Sequence, residues 1–194
     1  MNTSRILIAL LFGSAIATAA QAQQTAVQRD VNQQERIQQG LQSGQLSTKE
    51  ASQLEHEQAH VDKMESNALK NGNMSQQERN RINSAQNRVS QDISRDKHNG
   101  VVGNPNSASS QRMQADVQRN INQEQRIKQG LASGSLTNRE AGRLENGQAH
   151  VDRREARAGA DGHVGAREEH AIQSAENRQS GHIYHEKHDR ARRG

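Results

Sequence analysis

Gly44-Gln45-Leu46-Ser47-Thr48-Lys49-Glu50-Ala51 returns ninety residues later as Gly134-Ser135-Leu136-Thr137-Asn138-Arg139-Glu140-Ala141. Ser47 with Glu50, and Thr137 with Glu140, have the spacing of a capping box. The hydroxyl accepts from an orphan amide of the first helical turn, and the carboxylate reaches back to the cap amide. Leu46 with Ala51, and Leu136 with Ala141, sit where a hydrophobic staple closes over such a cap. Gly44 and Gly134 stand three residues earlier, where a preceding helix ends on a left-handed residue. The grammar recurs at Gly72, Ser75 and Glu78, and more loosely around Gly162 and Glu168. It spells helix, stop, turn, capped helix.

Working outward, Val27–His98 aligns without a gap to Val117–His188, with roughly half of the positions identical. Gln58-Ala59-His60-Val61-Asp62 recurs as Gln148-Ala149-His150-Val151-Asp152. Between the turns lie Gln, Glu, Arg, Lys and Ala, all good helix formers. Three helices per copy are predicted, near 25–42, 48–69 and 76–97, with counterparts ninety residues on. Apolar residues form a narrow stripe (Ala51, Leu54, Val61, Ala68; then Ile82, Ala85, Val89, Ile93), closer to a coiled-coil seam than to a broad globular face. Strand patterns are absent. The fold class is all-α, a tandem duplication of a three-helix hairpin-like unit. Copy 1 covers 23–98 and copy 2 covers 114–189, as two small bundles. A Gly- and Ser-containing linker spans 99–113, and a basic tail covers 190–194.

The first 22 residues read as a secretory signal peptide. Arg5 supplies the positive start, Ile6 to Phe12 the apolar run, and Ala20-Gln21-Ala22 an A-x-A cleavage site. The run is too short to cross a bilayer. Cleavage near Ala22 implies a periplasmic or secreted chain. Beyond it, Leu, Ile and Val make up only about one residue in eight, so a thin core and marginal stability are expected. The chain has no Cys and no Trp, which excludes disulfides, thiolate metal sites and a thiol nucleophile.

Catalytic motifs are missing: no nucleophile elbow, no H-E-x-x-H, no phosphate loop. The net charge of +4 is spread over alternating Arg and Glu, with one Phe and one Tyr as the only aromatic residues that could stack bases, so no nucleic-acid partner is expected. Two features point to metal. The G-x-[LM]-[ST]-x-x-E turns resemble the second half of an EF-hand loop, with Glu50, Glu78, Glu140 and Glu168 at the bidentate position and Asp161 as the most ligand-like neighbour. Leu41, Leu69 and Leu131 occupy loop position 3, where a hard cation needs oxygen. Nine His supply the second feature. His56 and His60 are i,i+4 neighbours, and His182, His185 and His188 step along one helix face, a spacing that suits Zn²⁺, Cu²⁺ or Ni²⁺.

The signal peptide, the Gln/Arg-rich helices, the G-x-L-[ST]-x-x-E turns and the Lys97-His98 and Lys187-His188 ends together resemble uncharacterised exported helical proteins of proteobacteria. That resemblance implies compartment and architecture and carries no site residues. The hydrophilic composition is also similar to that of hydrophilins, which implies a protective role. The expectation is a non-enzymatic exported protein that acts by binding, with a divalent metal (Zn, Cu, Ni or Ca) as ligand. A hydrophilin-like protectant and a self-associating scaffold or interaction protein are the alternatives.

Overall fold

The computed structural model describes the backbone of residues 14–189 and the side chains of residues 23–189. The apolar run of the expected signal peptide and the basic tail lie outside the described residues. Six helices follow one another: α1 (Ser14–Ser43), α2 (Thr48–Leu69), α3 (Gln76–Asp96), α4 (Ala108–Ser133), α5 (Asn138–Ala158) and α6 (Ala166–His188). The all-α class holds, and no strand occurs among the described residues. The capping boxes form as read, with Ser47, Ser75 and Thr137 accepting from the amides of Glu50, Glu78 and Glu140. Gly44 and Gly134 take φ values of 75° and 73°, a conformation that any Cβ would strain.

Two features differ from the sequence reading. Helix α4 begins at Ala108, because Ser107 caps it by accepting from the Ser110 amide at 3.1 Å. The Ser-rich run is therefore a first helical turn rather than linker. What remains of the connection is held against the α1–α2 turn: the Gly103 amide donates to Gly44 O at 2.8 Å, and Asn99 Nδ2 to Glu50 Oε1 at 2.7 Å.

The second difference is larger. The copies do not form two separate bundles. The most extensive helix packing joins α2 to α5 and α1 to α4, across the duplication, while α3 and α6 lean on the helices of their own copies. Helices α2 and α5 run antiparallel, since Gly142 faces Leu69 at one end and Gly159 faces Ser52 at the other. Each copy has a second buried seam that only the other copy can cover. On α2 it is Ala51, Glu55, Gln58, Asp62, Glu65 and Leu69, and on α5 Ala141, Glu145, Gln148, Asp152 and Glu155. Both alternate steps of four and three, the coiled-coil period, and both are polar at the centre. The core thus joins an apolar set (Leu41, Leu54, Ile82, Ile93, Ile127, Leu144) to a large buried polar one.

Close packing at the turns makes one prediction. A Cβ on Gly40 would lie 2.5 Å from Leu46 Cδ1, and a Cβ on Gly130 the same distance from Leu136 Cδ1. Gly40→Ala and Gly130→Ala should each cost about 1–3 kcal/mol through overpacking. Gly181→Ala, in an α6 position with nothing within 4 Å, should instead gain up to about 1 kcal/mol from helix propensity. Urea titration of the three variants checks this; a shared sign would refute it.

Candidate metal centre

The α2–α5 seam carries six acids at its middle: Glu55, Asp62 and Glu65 from α2, and Glu145, Asp152 and Glu155 from α5, none more than 2% exposed. They lie there because i, i+7 and i+10 on one helix share a face, and the antiparallel partner presents the same pattern. Helices α1 and α4 close over them with Asp30, Gln34, Asn120 and Glu124, all buried. Two groups result. The ligand oxygens of Glu55, Asp152 and Glu155 lie within 4.8 Å of one another, as do those of Asp62, Glu124 and Glu145. The repeat relates Glu55 to Glu145 and Asp152 to Asp62, so these are two versions of one site. Asp62 and Asp152 lie close enough across the seam to raise and lower one another's proton affinity, which links the two groups.

The versions are not equivalent. Glu124 stands where copy 1 has Gln34, whose Nε2 donates to Glu55 Oε2 at 2.9 Å. Asn120 stands where copy 1 has Asp30, and its Nδ2 donates to Glu155 Oε2 at 2.8 Å and Asp152 Oδ1 at 3.3 Å. Asp30 accepts from Gln86 at 2.8 Å. Arg119, on Glu176 Oε2 at 2.8 Å, is the cation paired to a buried acid nearby.

Electrostatics make this layer costly as it stands. Burial pushes Asp30 up to about 6 and Glu55 to about 7. Burial and the neighbouring acids raise Asp62, Glu65, Glu124, Glu145, Asp152 and Glu155 well above the carboxylate range. Burial, with the charge of Glu176, takes Asp116 to about 9. Fully buried acceptors go without a donor: both oxygens of Glu145 and of Asp116, one each of Glu55, Glu124 and Glu155, and the amide oxygens of Gln34 and Asn120. Every such orphaned side-chain atom among the described residues is an oxygen. An interior this short of donors needs positive charge, as protons or as cations.

The residues singled out from sequence lie elsewhere. Glu50, Glu78, Glu140 and Glu168 each tie an oxygen to a cap amide, at 2.9, 2.8, 2.6 and 2.8 Å. Asp161 closes its own turn by accepting from the His163 amide. His56 and His60 are exposed along a groove between α2 and α3 with Arg88 and Asp92. His182, His185 and His188 are exposed on α6, where His188 stacks on Tyr184 with ring centres 4.2 Å apart. No group of three ligand-bearing side chains among the described residues contains a His. Glu140 does join Glu186 and Asp189 in a third group, but Arg143 is bound to Glu186 there at 2.9 Å. The signal that reading missed is E-x₆-D-x₂-E, present in both copies as Glu55/Asp62/Glu65 and Glu145/Asp152/Glu155.

No protein-family model, no curated protein and no solved structure matches the chain.

Proposed function

We propose that the chain is a non-enzymatic, exported divalent-cation-binding protein whose ligands are the seam carboxylates. Glu55, Asp152 and Glu155 form one site, and Asp62, Glu124 and Glu145 the other. The observation that carries this reading is the set of fully buried acceptor oxygens without donors around two carboxylate groups. Gln34 and Asn120 already touch these groups through their amides, and a half-turn of either amide offers an oxygen instead. Oxygen-only ligands favour hard cations such as Ca²⁺, Mn²⁺ or Mg²⁺ over the Zn²⁺, Cu²⁺ or Ni²⁺ that histidine would favour. Export rests on the leader-like first 22 residues.

A cation that binds only the folded state must add to its stability, by about 2.7 kcal/mol at a hundred times its Kd, and so raise the melting midpoint. Melts followed by circular dichroism, first in chelator and then with each cation, test the proposal. A saturable rise with Ca²⁺ or Mn²⁺, accompanied by proton release, is the expected result. Identical midpoints under all conditions would overturn it.

A further inference from the structure

Seven lining positions are shared, at the ninety-residue offset, between two grooves toward opposite ends of the α2–α5 pair, and the two differ in charge. The first, about 510 Å³, runs past His56, Glu57, Arg95, Asp96, Arg153 and Arg157. Asp96, paired to Arg95 at 3.0 Å, offsets part of this groove's positive charge, and Glu57 adds a carboxyl that burial and Asp92 push up to about 7. The second, about 640 Å³, presents Lys63, Lys70, Arg139, Arg143, His150 and His182, and no carboxylate lines it. The aligned positions of the two copies show where the difference lies. Glu57 is replaced by Gly147, Gln53 by Arg143, and Ala160 corresponds to Lys70. The position of Asp92 is taken by His182.

The cations of the second groove come from three helices and converge. Lys63 and Lys70 lie on and just beyond α2, Arg139 and Arg143 on α5, and His182 on α6. Of these, Arg143 is ion-paired, to Glu186 at 2.9 Å and Glu140 at 3.9 Å. Lys63 Nζ donates to the neutral Asn146 at 2.6 Å, and Arg139 to a backbone carbonyl. Burial, and after it the charges of Arg153, Lys63 and Arg154, pushes the His150 imidazole below its ordinary range. Lys63, Lys70 and Arg139 form no ion pair among the described residues, so cationic donors are left over in the groove even though Glu140 and Glu186 neutralise Arg143. The volume suits a small molecule, and Lys and Arg are the donors that bind phosphate oxygens.

We infer that this α2–α5–α6 groove is a binding site for a small anion of two or more charges bearing phosphate groups. It is separate from the buried carboxylates and does not depend on them.

The test is calorimetric titration of the chelator-treated full chain with pyrophosphate, inorganic phosphate and long-chain polyphosphate. Pyrophosphate should bind one per chain and more tightly than phosphate. The exposed pair Lys70→Glu with His182→Asp should weaken it at least tenfold, while its melt stays that of the parent. Arg157→Glu, in the first groove, should leave the affinity unchanged. No saturable pyrophosphate binding, equal affinity in the double variant, or binding of polyphosphate alone with several sites per polymer would each overturn the inference. Running it without metal keeps its failure distinct from failure of the cation reading.

Discussion

Stripped of divalent cations, the protein should be more stable near pH 5 than at pH 8, the reverse of a protein held by exposed ion pairs. The sign follows from the buried acids. A carboxyl whose folded-state pKa is raised binds its proton more tightly when folded. Its contribution is therefore complete below the unfolded value and is lost as pH rises through the folded one. The window opens near 3.8 for the aspartates and 4.5 for the glutamates, and extends through about 6 for Asp30 and about 7 for Glu55 and Glu176, to about 9 for Asp116. Glu55 alone, moving from an ordinary value to about 7, is worth roughly 3 kcal/mol. Several such groups together exceed the margin of many small domains. At the acid end the sign reverses. Burial acts to raise Glu50, but hydrogen bonds from Asn99 and Ser47 outweigh it and hold its carboxyl below the usual range, and Ser75 holds Glu78 low. Their contribution is lost as pH falls below about 4.5, so the optimum lies just above that. Melts from pH 4 to 9 in chelator read this directly. Stability that climbs toward pH 8 would show that the buried acids find other partners. Adding a saturating cation should flatten the decline, because the metal replaces the protons.

Glu145→Gln should separate stability from binding. Both Glu145 oxygens lie fully buried without a donor, and the amide keeps the side chain's shape while removing the charge. In chelator at pH 8 the variant should gain about 1–4 kcal/mol, the range found when a buried ion pair gives way to hydrophobic side chains of similar volume, because the amide needs neither a buried charge nor a captured proton. Its cation-induced rise should shrink, because the Asp62–Glu124–Glu145 group loses a ligand. A truncation in the apolar core, Leu54→Ala at a fully buried position, should instead cost about 2–5 kcal/mol and leave the cation-induced rise intact. Guanidinium titrations with and without cation measure all four quantities. A Glu145→Gln chain that is less stable in chelator, or that keeps its full cation response, would refute the assignment of Glu145 as a ligand.

Much of the local architecture can be read along the chain, because its causes lie within a few residues. Ser47, Ser75 and Thr137 cap helices using a Glu three residues on, and Gly44 and Gly134 stop the preceding helices through their own backbone freedom. The stripe Leu54–Val61–Ala68 is visible because those residues are apolar. The start of α4 escaped this reading, since Ser107 to Ser110 have the composition of a linker and act as a cap only by the position of one hydroxyl.

The candidate site was present in the same letters and yet not legible as one. Glu55, Asp62 and Glu65 keep the heptad spacing of a buried seam, but acids on a helix rich in Glu, Gln and His read as a solvated face. What removes them from water is the matching seam of α5, ninety residues away, with α1 and α4 closing over both. Helix formation and helix ends are settled by contacts within a turn or two of the chain, and so the order of residues suffices for them. The burial of an acid, and with it its proton affinity and its capacity to hold a cation, depends on which surface lies opposite, and only the packing of one copy against the other supplies that surface.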